Sequence, residues 1–281
     1  MSMQSNFSFT TRDYDYHRGQ SGPLLARVYQ PEGLGPFPCV LDVHGGGWGS
    51  GDRLNNEVIS EYLARAGIVV AAIDFRLSGE ARYPASVADT NLAVRWLKAM
   101  AEEFQSQPDL VGGLGTSSGG HQLLLNALRP TDPLYASLDR DRLPGLDARL
   151  RFAVACWPVA DPWARFLMAS QSDKAALLRS HAAYWGSDEE MKSGNPQLIL
   201  SRREQTHLPP LLIMQGTADE NLTPDMAERF SATYRERGGH AELHIVEGAT
   251  HSFITKEPKA AASIAALDRI VGFIKTHSGV V

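Results

Sequence analysis

The sequence predicts an α/β fold, a mostly parallel sheet of about eight strands with helices on both faces. Three observations carry that expectation. From residue 38 onward, short apolar runs alternate with longer segments of helical periodicity, the rhythm of strands joined by crossover helices. The run Ile68-Val69-Val70-Ala71-Ala72-Ile73 is apolar without alternation, as strands buried on both faces are. Polar, glycine-bearing turns then follow the carboxyl ends of several runs.

The elements are read in chain order. Phe7 to Tyr16 alternates, and Leu24 to Tyr29 forms a second strand after a turn at 19–22. These two make an antiparallel edge. Cys39 to Val43 is a compact apolar strand. Arg53 to Ala66 has helical spacing and ends at Gly67, a C-cap residue. Ile68 to Ile73 follows as a strand, then Ala85 to Phe104 as a long amphipathic helix. Asp109 to Leu114 is a strand and Ser118 to Leu128 a helix; Phe152 to Cys156 is the next strand. The stretch from about 160 to 208 breaks the rhythm. It holds Trp163, Phe166, Tyr184 and Trp185 and no clear strand. It is read as a small helical cap inserted into a single domain spanning 1–281. Leu211 to Met214 and Leu243 to Val246 are strands, with a helix at Pro224 to Arg237 between them and a last helix from Ser252 to Lys275.

Composition narrows the function classes. The 281 residues are 43% hydrophobic and 21% charged, with a net charge of −5. That is ordinary globular composition, long enough for one large core. No lysine- or arginine-rich run offers a surface for nucleic acid. No apolar stretch approaches the ~18 residues of a membrane span. Met1 to Arg12 lacks the basic start and apolar core of a signal peptide. The expectation is a soluble, cytoplasmic protein with a small-molecule substrate and neither nucleic-acid nor membrane partner. Oligomeric state is not legible, a homodimer being one option left open. Cys39 and Cys156 sit in apolar runs and read as inert buried thiols, a disulfide or reactive thiol being the alternative.

Three turns carry chemistry. Gly115-Thr116-Ser117-Ser118-Gly119-Gly120 follows a strand and opens a helix. A serine on such a turn is pushed clear of the sheet, and the helix N-terminus puts free N–H groups beside it. Ser117 is the candidate nucleophile and Ser118 the rival; a Gly-rich turn without chemistry is the bland reading. His44-Gly45-Gly46-Gly47-Trp48 follows the strand ending at Val43. Three glycines let backbone N–H groups approach a ligand, so Gly46, Gly47 and Ser118 are the candidate oxyanion donors. A phosphate loop is disfavoured, because no Gly-Lys-Ser/Thr follows. His44 reads as a loop anchor, with a base as the alternative.

Asp219 and His251 each lie just past a strand, in Gln215-Gly216-Thr217-Ala218-Asp219 and Gly248-Ala249-Thr250-His251. A serine hydroxyl needs a base to take its proton, and histidine ordinarily titrates near ~6.5. A carboxylate fixes the tautomer of that base and stabilises its cation. Glu220 is the rival orienter; His240 and His244 are weaker bases, since they precede or lie within a strand. Asp74, Asp89 and Asp161 read as structural hydrogen-bond acceptors. No metal site competes, for there is no His-Glu-x-x-His and no paired-cysteine spacing.

At these residues the sequence resembles the esterase/lipase branch of the α/β-hydrolases that carries a His-Gly-Gly-Gly-Trp oxyanion motif. His44–Trp48, Gly115–His121, Gly216–Asp219 and Gly248–His251 carry the likeness together, and the strand–helix rhythm extends it from about residue 24 to 275. The resemblance implies a serine carboxylesterase with an acyl-enzyme and no cofactor. Ser117 is then the nucleophile, His251 the base and Asp219 its orienter. This sequence starts directly with strands, so the N-terminal helical cap of hormone-sensitive-lipase-like esterases is not expected, and feruloyl- or acetyl-ester hydrolases and kynurenine-formamidase-like enzymes look nearer. The formamidase group often has Tyr where Gly47 stands, and the family's Asp or Gly before the nucleophile is here Thr116. Amide or formamide hydrolysis by the same triad is the second expectation; a non-catalytic binding protein is the third. Trp48, Trp157, Trp163, Tyr184 and Trp185, with Phe166, are expected to wall the pocket or to pack the cap. No Arg or Lys can be assigned to the site, so an anionic substrate is neither supported nor excluded.

Overall fold

Six adjacent parallel strands set the frame. The computed structural model describes residues 7–19, 22–139 and 142–280. The strands are β1 (Phe9–Gly19), β2 (Gly22–Pro31), β3 (Cys39–Val43), β4 (Val69–Ile73), β5 (Val111–Thr116), β6 (Ala153–Cys156), β7 (Leu211–Gly216) and β8 (Ala241–Val246). They form one eight-stranded sheet in the order β1-β2-β4-β3-β5-β6-β7-β8. β1 and β2 run antiparallel at one edge, and all pairs from β4 to β8 are parallel. The predicted fold class holds. The centre of the turn expected at 19–22 lies outside the described residues, as does the start of the segment weighed as a signal peptide.

Every residue of β3, β4, β5, β6 and β7 is buried. That explains their largely apolar runs, since helices cover both faces; Asp42 in β3, Thr116 in β5 and Gln215 in β7 are the polar exceptions. α1 (Glu57–Arg65) and α10 (Ala261–Ser278) pack together on one side. α2 (Ala85–Ala99), α3 (Ser117–Leu128) and α8 (Met226–Glu236) cover the other. Gly67 ends α1 with φ 80°, a left-handed conformation that suits glycine. Among the described residues, no helix is long and apolar enough to cross a membrane.

Three helices differ from expectation. α1 begins at Glu57 rather than Arg53. α2 stops at Ala99 rather than Phe104, and a run of turns follows. The last helix is split into α9 (Phe253–Lys256) and α10. Pro258 lies at the break: it has no N–H to donate and disfavours a helical residue before it, and Glu257 takes φ −129°, ψ 60°. Between β6 and β7 lie four short helices, α4 (Pro162–Gln171), α5 (Ala175–Tyr184), α6 (Asp188–Ser193) and α7 (Pro196–Ser201), and no strand. α4 starts where Asp161 accepts from the Ala164 N–H and Pro162 occupies the first turn, a strong start signal.

The topology positions the site. From β3 the chain adds β4 on one side, then returns across β3 to add β5 on the other. β3 and β5 therefore flank the point where the order reverses, where α/β sheets leave a crevice at their carboxyl ends. The register aligns those ends: Val43 opposes Gly115, Thr116 opposes Cys156, Cys156 opposes Met214 and Gly216 opposes Val246.

Candidate active site

Ser117 is the first residue of α3, directly after β5, with φ 52°. A non-glycine residue there is strained, and the strain turns its side chain out of the sheet. The tight crossing depends on Gly119. A Cβ on it would stand 2.1 Å from the Val43 carbonyl oxygen and 2.2 Å from that of His44. α3 thus rests directly on the end of β3.

The three distant turns meet. His251 Nε2 lies 2.9 Å from Ser117 Oγ, and His251 Nδ1 lies 2.8 Å from Asp219 Oδ2. A carboxylate only accepts, so Nδ1 carries the proton and Nε2 is the free acceptor facing the hydroxyl. Asp219 is held by more than the histidine: Gln215 Nε2 donates to Oδ2 at 2.8 Å, and the Asn221 N–H donates to Oδ1 at 2.9 Å. Burial alone would raise its carboxyl pKa. The bond and charge of His251, with Asn221 and Gln215, outweigh that and hold it below the usual value. The rival carboxylates are engaged elsewhere. Glu220 is exposed, Asp74 accepts from Arg53, Asp89 from Arg76, and Asp161 from Ala164, Asn195 and Arg229. His240 lies beside Glu242 and His277.

The glycine loop is tied down by its carbonyls. His44 Nδ1 donates to Gly45 O, the N–H groups of Gly49 and Ser50 donate to Gly46 O, and Ser180 Oγ donates to Gly47 O. The Trp48 N–H donates to Ser118 Oγ at 3.1 Å. Ser118 is therefore a fully buried strut of the loop rather than an open hydroxyl. The N–H groups of Gly46 and Gly47 have no acceptor among the described residues. That of Ser118 lies in the first helical turn, where no intrahelical acceptor exists. Burial lowers the pKa of His44, whose ring stacks on Phe75, which fits an anchoring group.

Next to Ser117 lies a network the sequence reading missed. Thr116 Oγ1 donates to Asn56 Oδ1, and Asn56 Nδ2 donates to Asp42 Oδ1 at 2.8 Å. Asp42 also meets the Ser60 hydroxyl, and burial pushes its carboxyl up to about 7.

A cavity of about 460 Å³ opens over Ser117 and His251, a size that suits a small molecule. Its walls include Gly46, Gly47, Trp157, Arg165, Leu177 and Asn221. The expected aromatic wall is a correction. Of those rings only Trp157 lines the cavity. Trp48 has φ 62°, which turns its side chain inward; it is fully buried, stacks on Tyr184 at 4.8 Å, and donates from Nε1 to His121 Nδ1. Tyr184 and Trp185 are buried in the same cluster with Tyr83, and Trp163 stacks on Phe166. Sequence reading missed Arg165. Its signal was the Asp161-Pro162 helix start, which fixes α4 but not which face meets the cavity. Cys39 and Cys156 are buried and unpaired, and burial raises both thiol pKa values.

Comparison with known proteins adds the family context. The family model BD-FAE matches residues 27–234. The chain is 27% identical over 210 residues to a probable carboxylic ester hydrolase, LipM, of Mycobacterium tuberculosis, covering 72% of this chain and 46% of LipM. It is 26% identical over 279 residues to the carboxylic ester hydrolase LipN of the same organism, covering 92% of this chain and 68% of LipN. The chain thus spans about half to two thirds of these relatives' length. Among solved structures, a thermophilic esterase of Thermogutta terrifontis, with propionate bound, matches with a TM-score of 0.76 at 22% identity, covering 99% of this chain and 96% of that one. The fold is the α/β-hydrolase fold.

Proposed function

The chain belongs to the BD-FAE family of α/β-hydrolase esterases, and from that premise we propose that it is a serine carboxylesterase acting on a small ester. Ser117 Oγ attacks the acyl carbon while His251 Nε2 takes its proton. The tetrahedral oxyanion rests on the N–H groups of Gly46, Gly47 and Ser118. His251 then protonates the departing alcohol, leaving an acyl-Ser117. Water, activated by the same imidazole, releases the acid. Asp219 keeps the proton on Nδ1 throughout. No step calls for a cofactor. One observation carries the reading: the unbroken Ser117–His251–Asp219 line, 2.9 and 2.8 Å, ending in the cavity.

Residues from about 160 to 208 serve as a cap in this reading. Support comes from α5, whose Ser180 holds Gly47 O and whose Ala176 and Leu177 line the cavity. A cytoplasmic location is supported by the two unpaired buried cysteines.

Formamide hydrolysis by the same triad is the second reading, and Gly47 weighs against it. Its φ is 60°, a backbone conformation that strains any side chain, and a Cβ there would stand 2.6 Å from Ser180 Oγ, so the tyrosine common at this position in formamidase-like sequences would displace the serine that holds the loop. The test is turnover of 4-nitrophenyl acetate by folded wild type and Ser117→Ala. The variant keeps its circular dichroism and melting temperature and loses turnover to background. Undiminished turnover in the variant refutes the proposal.

A further inference from the structure

Arg165 lies on α4 and lines the cavity together with Ser117 and His251. It is buried, 4% exposed, and every contact that holds it is neutral. Nε donates to Asn221 O at 2.9 Å, Nη1 donates to His181 Nε2 at 3.2 Å, and the guanidinium lies 5.6 Å over the Trp48 ring. Asp219 is the carboxylate whose charge it feels, but that group is already taken by His251, Asn221 and Gln215. Three partly buried arginines differ in having a carboxylate partner. Arg76 pairs with Asp89, Arg129 with Glu204, and Arg53 with Asp74. Nη2 of Arg165 donates to no group among the described residues, yet it is not sealed inside the protein. Arg165 is itself part of the cavity wall.

A desolvated cation with only neutral partners is costly to keep, and a guanidinium edge fits a carboxylate in a planar, two-pronged geometry. Burial lowers its pKa to about 10, with Asp219 opposing the fall, so it remains charged at neutral pH. His181, its neighbour, is pushed down to about 3 by burial and by the arginine's own charge, so it accepts as a neutral ring.

We propose that Arg165 determines specificity, its free edge receiving a carboxylate carried by the ester substrate. The preferred substrates are then esters with a second, ionised carboxyl group in the acyl or the alcohol part. This rests on the esterase reading, and the experiment separates the two.

Two matched pairs of esters decide it. Mono-4-nitrophenyl adipate and its methyl ester differ by a charge on the acyl side; 3-acetoxybenzoate and methyl 3-acetoxybenzoate differ by one on the alcohol side. In wild type, kcat/KM for the charged member of at least one pair exceeds that of its neutral partner by roughly 10- to 100-fold, the scale of a charged hydrogen bond. Arg165→Gln collapses that ratio toward one, and Arg165→Lys, which keeps the charge but not the fork, restores part of it. Benzoate inhibits wild type competitively and benzamide does not, a reading that needs no variant should Arg165→Gln fail to fold. Neutral partners preferred in both pairs, or an equal loss on both members in Arg165→Gln, overturns the inference and leaves Arg165 as a cap tie. Turnover of neither pair, or turnover surviving in Ser117→Ala, removes the esterase reading itself and this inference with it.

Discussion

Asp219→Asn isolates the orienting carboxylate. In the wild type its two oxygens accept from three donors: His251 Nδ1, Gln215 Nε2 and the Asn221 N–H. An asparagine has one oxygen and one NH₂. With its oxygen toward the Asn221 N–H, the NH₂ points at two donors; Gln215 turns its amide so that Oε1, without a partner among the described residues of the wild type, accepts, and His251 must move its proton to Nε2 to accept as well. Nε2 then donates and can no longer take the proton of Ser117. With the amide turned over, the NH₂ faces the Asn221 N–H and leaves two buried donors opposed, at about 1–3 kcal/mol for an unmade bond. The first arrangement is favoured, and it is the inactive tautomer. The expected result is a loss in kcat of about a thousand- to ten-thousand-fold, or roughly 4–5.5 kcal/mol of barrier. Initial rates on 4-nitrophenyl acetate, with active-site concentration from intact-protein mass after fluorophosphonate labelling of wild type, give the number. KM changes little, because Asp219 lies behind the imidazole. A loss below tenfold in a folded variant refutes the assigned role of Asp219 and moves the orienting task to another acid.

Three further outcomes follow from the same geometry. Ser118→Ala removes the hydroxyl that accepts from the Trp48 N–H but keeps the residue's own backbone N–H. It lowers kcat/KM about tenfold and Tm by a few degrees while labelling continues, and loss of all labelling contradicts the assignment of Ser117. Asp42→Asn probes the buried carboxyl pushed up to about 7 by desolvation. The unfolded chain releases that proton near its ordinary value of 3.8, and the folded protein holds it until about 7. The folded state therefore binds more protons between those values, and Asp42 draws stability down as pH rises, by up to ~1.4 kcal/mol per unit. Urea unfolding at pH 5 and pH 8 shows the variant gaining on wild type at the higher pH; a constant difference contradicts the burial account. Matched 4-nitrophenyl acetate and N-formyl-4-nitroaniline give a higher kcat/KM for the ester, and the reverse order favours the formamide reading.

The parallel sheet was legible because strands buried on both faces carry few polar residues, so 69–73 and 211–214 stand out as unbroken apolar runs and 39–43 is interrupted only by Asp42. The turns bearing Ser117, Asp219 and His251 were legible for a related reason. Each follows such a run, and aligned carboxyl ends of parallel strands bring such turns to one rim. What escaped depends on tertiary direction. The inward turn of Trp48 is set by one left-handed backbone angle that a tryptophan does not announce. Arg165 and Ser180 sit on the short helices α4 and α5, where the face that meets the cavity is decided by tertiary packing, such as that of Ser180 on the glycine loop. The Asp42–Asn56–Thr116 chain joins residues from three separate elements, and no local pattern links them. Pro258 marks the split, and reading one helix from Ser252 to Lys275 passed over it.

The identity of the nucleophile is tested most directly by locating a covalent adduct. Wild type is treated with a fluorophosphonate, digested, and mapped by tandem mass spectrometry. The account predicts one adduct, on Ser117, absent in Ser117→Ala and present in Ser118→Ala. An adduct on Ser118, or none at all in folded wild type, contradicts it.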